Sequence, residues 1–239
     1  MKTLPSAREA LGRIRASAVE AARLATAQRS DSDGQARVTR RWWPEAGCHL
    51  MMMHQRLDAT LDDLRALSAI FYGAAQLRSQ PWYAQFRMGA SAPVDAVHDG
   101  LLRVCRAVST VDLGFGTPRA YPVLCAEVAL DPSTRVVALN AIHDPPRCPE
   151  RAVPVVLAPP SGDVFHHDGG ALHWHHVIVT PGIGLGPRWF DHGLLRMLRA
   201  FGLDHAEQAV MRAEGEGLAR FAAETNLTAW CEAQGLAIR

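Results

Sequence analysis

The chain has no C-x-x-C pair and no regular cysteine framework. Its five cysteines, Cys48, Cys105, Cys125, Cys148 and Cys231, are odd in number and widely spaced. Such spacing argues against a disulfide scaffold and a structural zinc site, and it fits reduced thiols in a bacterial-type cytoplasm. No stretch approaches the ~18 uninterrupted apolar residues of a membrane span. Met1 to Ser6 lacks the apolar run of a cleavable signal peptide. The expected location is therefore the cytoplasm, or the outside by way of a dedicated secretion system. Charge of one sign is also missing: 25 Lys and Arg face 24 Asp and Glu, for a net charge of +1. Nothing electrostatic draws this chain to nucleic acid or an anionic membrane, so neither is an expected partner.

What remains is an ordinary globular composition, 48% hydrophobic and 21% charged over 239 residues. Neither an internal repeat nor a clean linker divides it. One domain over 1–239 is expected, with 1–35 as an N-terminal helical extension. Ser6 can cap a helix that runs to about Gln28, with Leu11, Ile14, Ala18 and Ala22 in phase. Leu50, Met53, Leu57, Leu61, Leu64 and Ile70 predict a second helix from Cys48 to Leu77, and Val94, Val97, Leu101, Cys105 and Val108 a third over 94–110. Then the period changes. Residues 123–130 and 135–142 form a predicted hairpin around Asp131-Pro132-Ser133-Thr134, and 153–157 a short strand. Helices over 193–201, 204–223 and 226–235 close the chain. The expectation is an α+β fold, an antiparallel sheet flanked by N- and C-terminal helices.

Between the sheet and the last helices lies a histidine-rich stretch. Six of the chain's eleven histidines fall between His166 and Gly193. A Gly/Pro-rich turn separates two β-prone runs, 174–179 and 188–191, as in a hairpin. Such a hairpin brings a histidine of the first run near Asp191 in the second, and a carboxylate beside an imidazole is the orienting half of a catalytic triad. Cys48 is the candidate nucleophile. At a helix N-terminus its thiolate gains from unpaired N–H groups, which also hold a developing oxyanion.

Trp43 to His54 resembles the nucleophile helix of bacterial protein-glutaminases, protein-glutamine deamidases within the transglutaminase/papain-like cysteine enzymes. Trp174 to Val179 is similar to their histidine strand, and Trp189-Phe190-Asp191 to the strand ending in the acidic member. The resemblance implies a papain/transglutaminase-like fold. It makes Cys48 the nucleophile, His176 the base and Asp191 the orienter, acting without cofactor on the amide of a protein or peptide substrate. Trp43, Met52 and Trp174 are the expected substrate contacts. Val111 to Gly116 also resembles an element of arylamine N-acetyltransferases.

Two other classes stay open. His166, His167, Asp168, His173 and His175 can be read as ligands for Zn, Cu, Ni or Fe, since His173 and His175 share one face of a strand. No H-E-x-x-H spacing accompanies them. Alternatively the chain is a non-enzymatic binding protein with Cys48 in its core.

Overall fold

The computed structural model describes residues 5–27, 35–43, 48–77, 82, 86–93, 101–111, 119–142, 159–168, 170–180, 197 and 203–239. A helix, α1 (Ala7–Thr26), leads into strands β1 (Arg37–Trp43) and β2 (Cys48–Leu57). Ser6 caps α1 with a reciprocal Ser6–Glu9 capping box. A second helix, α2 (Leu61–Leu77), separates these strands from β3 (Phe86–Pro93), β4 (Leu101–Val111), β5 (Arg119–Asp131), β6 (Thr134–Ala141), β7 (Gly162–Asp168) and β8 (Ala171–Thr180). Helices α3 (Leu203–Glu224) and α4 (Leu227–Ala233) follow, and Asn226 caps α4. Among the described residues no helix is long and apolar enough to cross a membrane.

The strands form one antiparallel sheet in the order β1-β2-β8-β7-β6-β5-β4-β3. Pairing of β2 with β8 joins chain segments more than a hundred residues apart. Side chains alternate between the two faces, and both faces are covered. On the outer face α1 lays Ala10, Ile14, Ala18 and Ala21 over Leu50, Leu124, Val136, Val164 and Val177. On the inner face α2, α3 and α4 bring Leu67, Ile70, Phe71, Leu218 and Cys231 against Met53, Leu57, Val137, Phe165 and Trp174.

This double covering explains where sequence periodicity misleads. Residues 48–57 form a strand, so Cys48 does not open a helix. Cys48, Leu50 and Met52 face outward, whereas Met53 and Leu57 face inward. A strand buried on both sides reads as a continuous apolar run, and such a run satisfies a helical period by accident. The same holds for 101–111, a strand where a helix was expected: Cys105 faces inward and Val104 outward. The predicted hairpin of residues 123–142 is present as β5 and β6. Asp131 Oδ1 closes its turn by accepting from Ser133 N and Oγ, both at 2.8 Å.

The expected partner of 174–179 is also corrected. From Trp174 to Val177, β8 is paired with β2 on one edge and β7 on the other. Neither edge there is left for 188–191. That segment, residues 153–157 and, save Met197, 193–201 lie outside the described residues.

Candidate functional site

The inner face of the sheet carries two rows of side chains, each running straight across the strands. One row passes from Arg103 through Glu127, Val137, Asp163 and His176 to Met53. The next passes from Arg135 through Phe165 and Trp174 to Gln55. Phe71 of α2 stands edge-on to Phe165 and Trp174, with ring centroids 4.9 and 5.3 Å apart. Ionisable groups are therefore set into an aromatic and aliphatic wall.

Asp163 holds one polar group together. Its Oδ1 accepts from Trp174 Nε1 at 2.9 Å and from His176 Nδ1 at 2.6 Å. Glu214 approaches from α3 and is buried. Burial works against a charge on His176, but the Asp163 carboxylate, its hydrogen bond and the charge of Glu214 outweigh that and push the imidazole up to about 9. Burial pushes Glu214 up to about 7, against the pull of His176 and with the repulsion of Asp163. The cluster is an imidazolium held between two acids, one from the sheet and one from the helix.

Glu127 centres a second group. It is fully buried. Ser68 Oγ donates to its Oε1 at 2.7 Å and Arg103 Nε to its Oε2 at 2.6 Å. Arg103 is fixed further by donating to the carbonyl of Ala237 and by stacking over Tyr72. Arg135 stands 3.6 Å from Glu127 Oε1.

The expected triad is not assembled. His176 faces inward beside Met53, its partner on β2, whereas Cys48 faces outward five residues along the same strand. At ~3.3 Å per residue the two lie ~17 Å apart along β2, with the sheet between them. The acid on His176 is Asp163, and Asp191 lies outside the described residues. Trp43 and Met52 share the outer face with Cys48, whereas Trp174 is fully buried on the inner face.

Of the expected metal ligands, His166, Asp168, His173 and His175 share the outer face, and His167 takes the inner one. His54, which sequence reasoning passed over, joins the outer group. Its Nε2 lies 3.0 Å from His173 Nδ1, and its ring lies 4.6 Å from that of His175. Burial first, then the charges of His173 and Arg37, lower His54 to about 4. Among the described residues no three or more His, Cys, Asp or Glu are placed to hold a metal ion. Sequence reasoning also passed over Asp163, Glu127, Arg103, Arg135 and Glu214. One signal was present: Glu127 and Asp163 are lone acids inside runs buried on both faces.

No protein-family model and no curated protein matches the chain in sequence. Among solved structures, human StAR-related lipid transfer protein 5 superposes with a TM-score of 0.57 at 12% identity, over 88% of this chain and 98% of that one. The chain has the fold of that lipid transfer protein. A StAR-related lipid transfer protein fragment from Xanthomonas axonopodis aligns with a TM-score of 0.45 at 15% identity, over 79% and 97% of the two chains. The papain/transglutaminase-like fold is thereby corrected. With it go the resemblance to protein-glutaminases, the Cys-His-Asp hydrolase and the protein or peptide substrate, all of which that resemblance implied.

Proposed function

We propose that the chain is a binding protein for an amphipathic small molecule of lipid class, held between the inner face of the sheet and α3. One observation carries this. Asp163 and Glu214 are buried and His176 is partly buried beside them in an otherwise apolar wall, where the sheet meets α3. Buried ionisable groups lower the stability of a core that apolar residues would fill as well, while a few fixed polar groups in an apolar lining suit a binding site. The likeness in fold to a protein titled a lipid transfer protein supports the same reading.

An alkyl chain bearing a dansyl group tests it. Probe bound beside Trp174 will accept energy from the indole, so tryptophan emission will fall and dansyl emission rise to saturation at one probe per chain. Extraction of the natively purified protein into organic solvent should also release a stoichiometric small molecule. Absence of both saturable transfer and an extractable molecule overturns the proposal.

A further inference from the structure

Two of the chain's cysteines, far apart in its spacing pattern, are neighbours in the fold. Cys105 of β4 and Cys125 of β5 are direct cross-strand partners. Both are reduced, and both face the inner core. Residues paired in this way hold their Cα atoms ~4.5 or ~5.5 Å apart. Either spacing lies inside the ~4.4–6.8 Å that a disulfide spans, so no backbone shift is needed to close one. The pair also sits in a polar setting that packing alone does not require. The Cys125 thiol donates to Cys105 Sγ, and so does the Tyr72 hydroxyl from α2. Arg103, stacked over Tyr72, adds its positive charge. The hydrogen bond from Cys125 first, then that from Tyr72 and the charge of Arg103, outweigh burial and hold the Cys105 thiol below its ordinary range. Cys125 is pushed up, by donating that bond, by burial, and by the charges of Cys105, Asp163 and Glu127. One sulfur is therefore set up as the thiolate and the other as its proton-bearing partner.

We propose that Cys105 and Cys125 are a redox modification site, closed to a reversible disulfide across β4 and β5 by a small peroxide. Cys105 is 4% exposed and Cys125 0%. Burial keeps bulky disulfide reagents off the pair and narrows the oxidant to a small uncharged one. The Cys105 thiolate attacks one peroxide oxygen. An S–O bond forms, the O–O bond breaks, and the departing hydroxide takes up the proton that Cys105 gave, leaving as water. Cys105 is then a sulfenic acid. Cys125 sulfur attacks Cys105 sulfur. The S–S bond forms, the S–O bond breaks, and the hydroxide leaves with the Cys125 proton as a second water. Two thiols have lost two electrons and two protons, and one hydrogen peroxide has gained them. A small dithiol reverses the change by exchange. The two remaining described cysteines are placed differently. Cys48 lies on the outer face. Cys231 donates to the carbonyl of Ala66 at 3.7 Å, and burial pushes it up to about 11.

The test uses the folded wild-type chain and does not depend on the binding reading above. The protein is treated with hydrogen peroxide at neutral pH, denatured, alkylated and cut with trypsin, and the peptides are weighed. Arg106 and Arg119 lie between the two cysteines, so the digest puts them in separate peptides. Two of the five thiols should be lost together. A single cross-linked species should appear, joining the Cys105 and Cys125 peptides and two hydrogens lighter than their sum. Dithiothreitol should restore both thiols. Cys125→Ser should stop the reaction at the sulfenic acid, so that dimedone labels Cys105. In Cys105→Ser, dimedone should label Cys125 far less. A cross-link that takes in Cys48, Cys148 or Cys231 instead overturns the proposal. So does a chain in which Cys105 and Cys125 stay alkylatable after those three have been oxidised. Both of these outcomes are read on the wild type, whether or not the variants fold. Dimedone labelling of Cys125 in Cys105→Ser as fast as that of Cys105 in Cys125→Ser overturns the division of roles between them.

Discussion

His176 keeps its proton because Asp163 accepts from its Nδ1 at 2.6 Å, which outweighs the cost of partial burial. Its folded pKa of about 9 lies above the ordinary 6.5. The contribution to stability is therefore complete below pH 6.5 and is lost as pH rises through 9. Glu214 works in the same direction. Its pKa rises from 4.5 to about 7, so the folded chain holds that proton more tightly, and ionising it between pH 4.5 and 7 lowers stability. Melting temperature followed from pH 5 to 10 should fall across both windows. Glu214→Gln should flatten the part below pH 7 and keep the later fall, moved to lower pH because His176 has lost one of its acids. A melting temperature that climbs from pH 5 to 9 would contradict this assignment. Asp163→Asn should lower stability by about 3 kcal/mol at pH 6, the usual cost of removing one partner of a buried pair. Urea denaturation measures it. The sequence drew attention to His176 through its crowded neighbourhood, but not to Asp163, thirteen residues upstream on the adjacent strand. A cross-strand pair has no fixed spacing, so only the register reveals it.

At the scale of elements, local chemistry was legible where a cap, a one-sided apolar stripe or a turn marks the element. Ser6 and the Ala/Ile stripe of α1 gave away that helix, and the Asp131–Thr134 turn gave away the β5–β6 hairpin. Strands β2 and β4 were misread because both of their faces are apolar, which erases the period of two. Glycines in two helices make the same distinction between exposed and packed surface testable. Gly12 of α1 is open, with nothing within 4 Å of an added Cβ. Gly12→Ala should stabilise by about 1 kcal/mol through helix propensity. In α3, a Cβ at Gly215 would meet Ala36 Cβ at 2.8 Å and Met53 Sδ at 3.1 Å. Here the same propensity gain is opposed by a clash that lifts α3 from β1 and β2, and Gly215→Ala should destabilise. Thermal denaturation of the two single variants compares the signs directly; stabilisation by Gly215→Ala would mean that α3 is less tightly seated than the packing implies.

For the molecule as a whole, the sheet is a partition between two cores with different duties. What the sequence did not disclose is that Cys48 and His176 lie on opposite sides of it, since that follows from long-range pairing of β2 with β8. The outer core, with Ile14 fully buried against the sheet, fastens α1. The inner core, with Phe165 fully buried among aromatics, both stabilises the fold and lines the proposed site. Ile14→Ala and Phe165→Ala should each lower stability, by about 3 kcal/mol or somewhat more for the phenylalanine. Their response to ligand should differ. Binding adds RT ln(1 + [L]/Kd) to the stability of whatever chain binds, about 2.7 kcal/mol at a hundred times Kd. Ile14→Ala leaves the inner wall untouched, so the dansyl probe should raise its melting temperature by as much as it does for the wild type. Phe165→Ala removes a ring from that wall and should shorten the shift, with a matching loss of energy transfer from Trp174. An equal loss of the shift in both variants would mean that the probe reports overall stability, or that it binds on the outer face, and the division of labour across the sheet would fall.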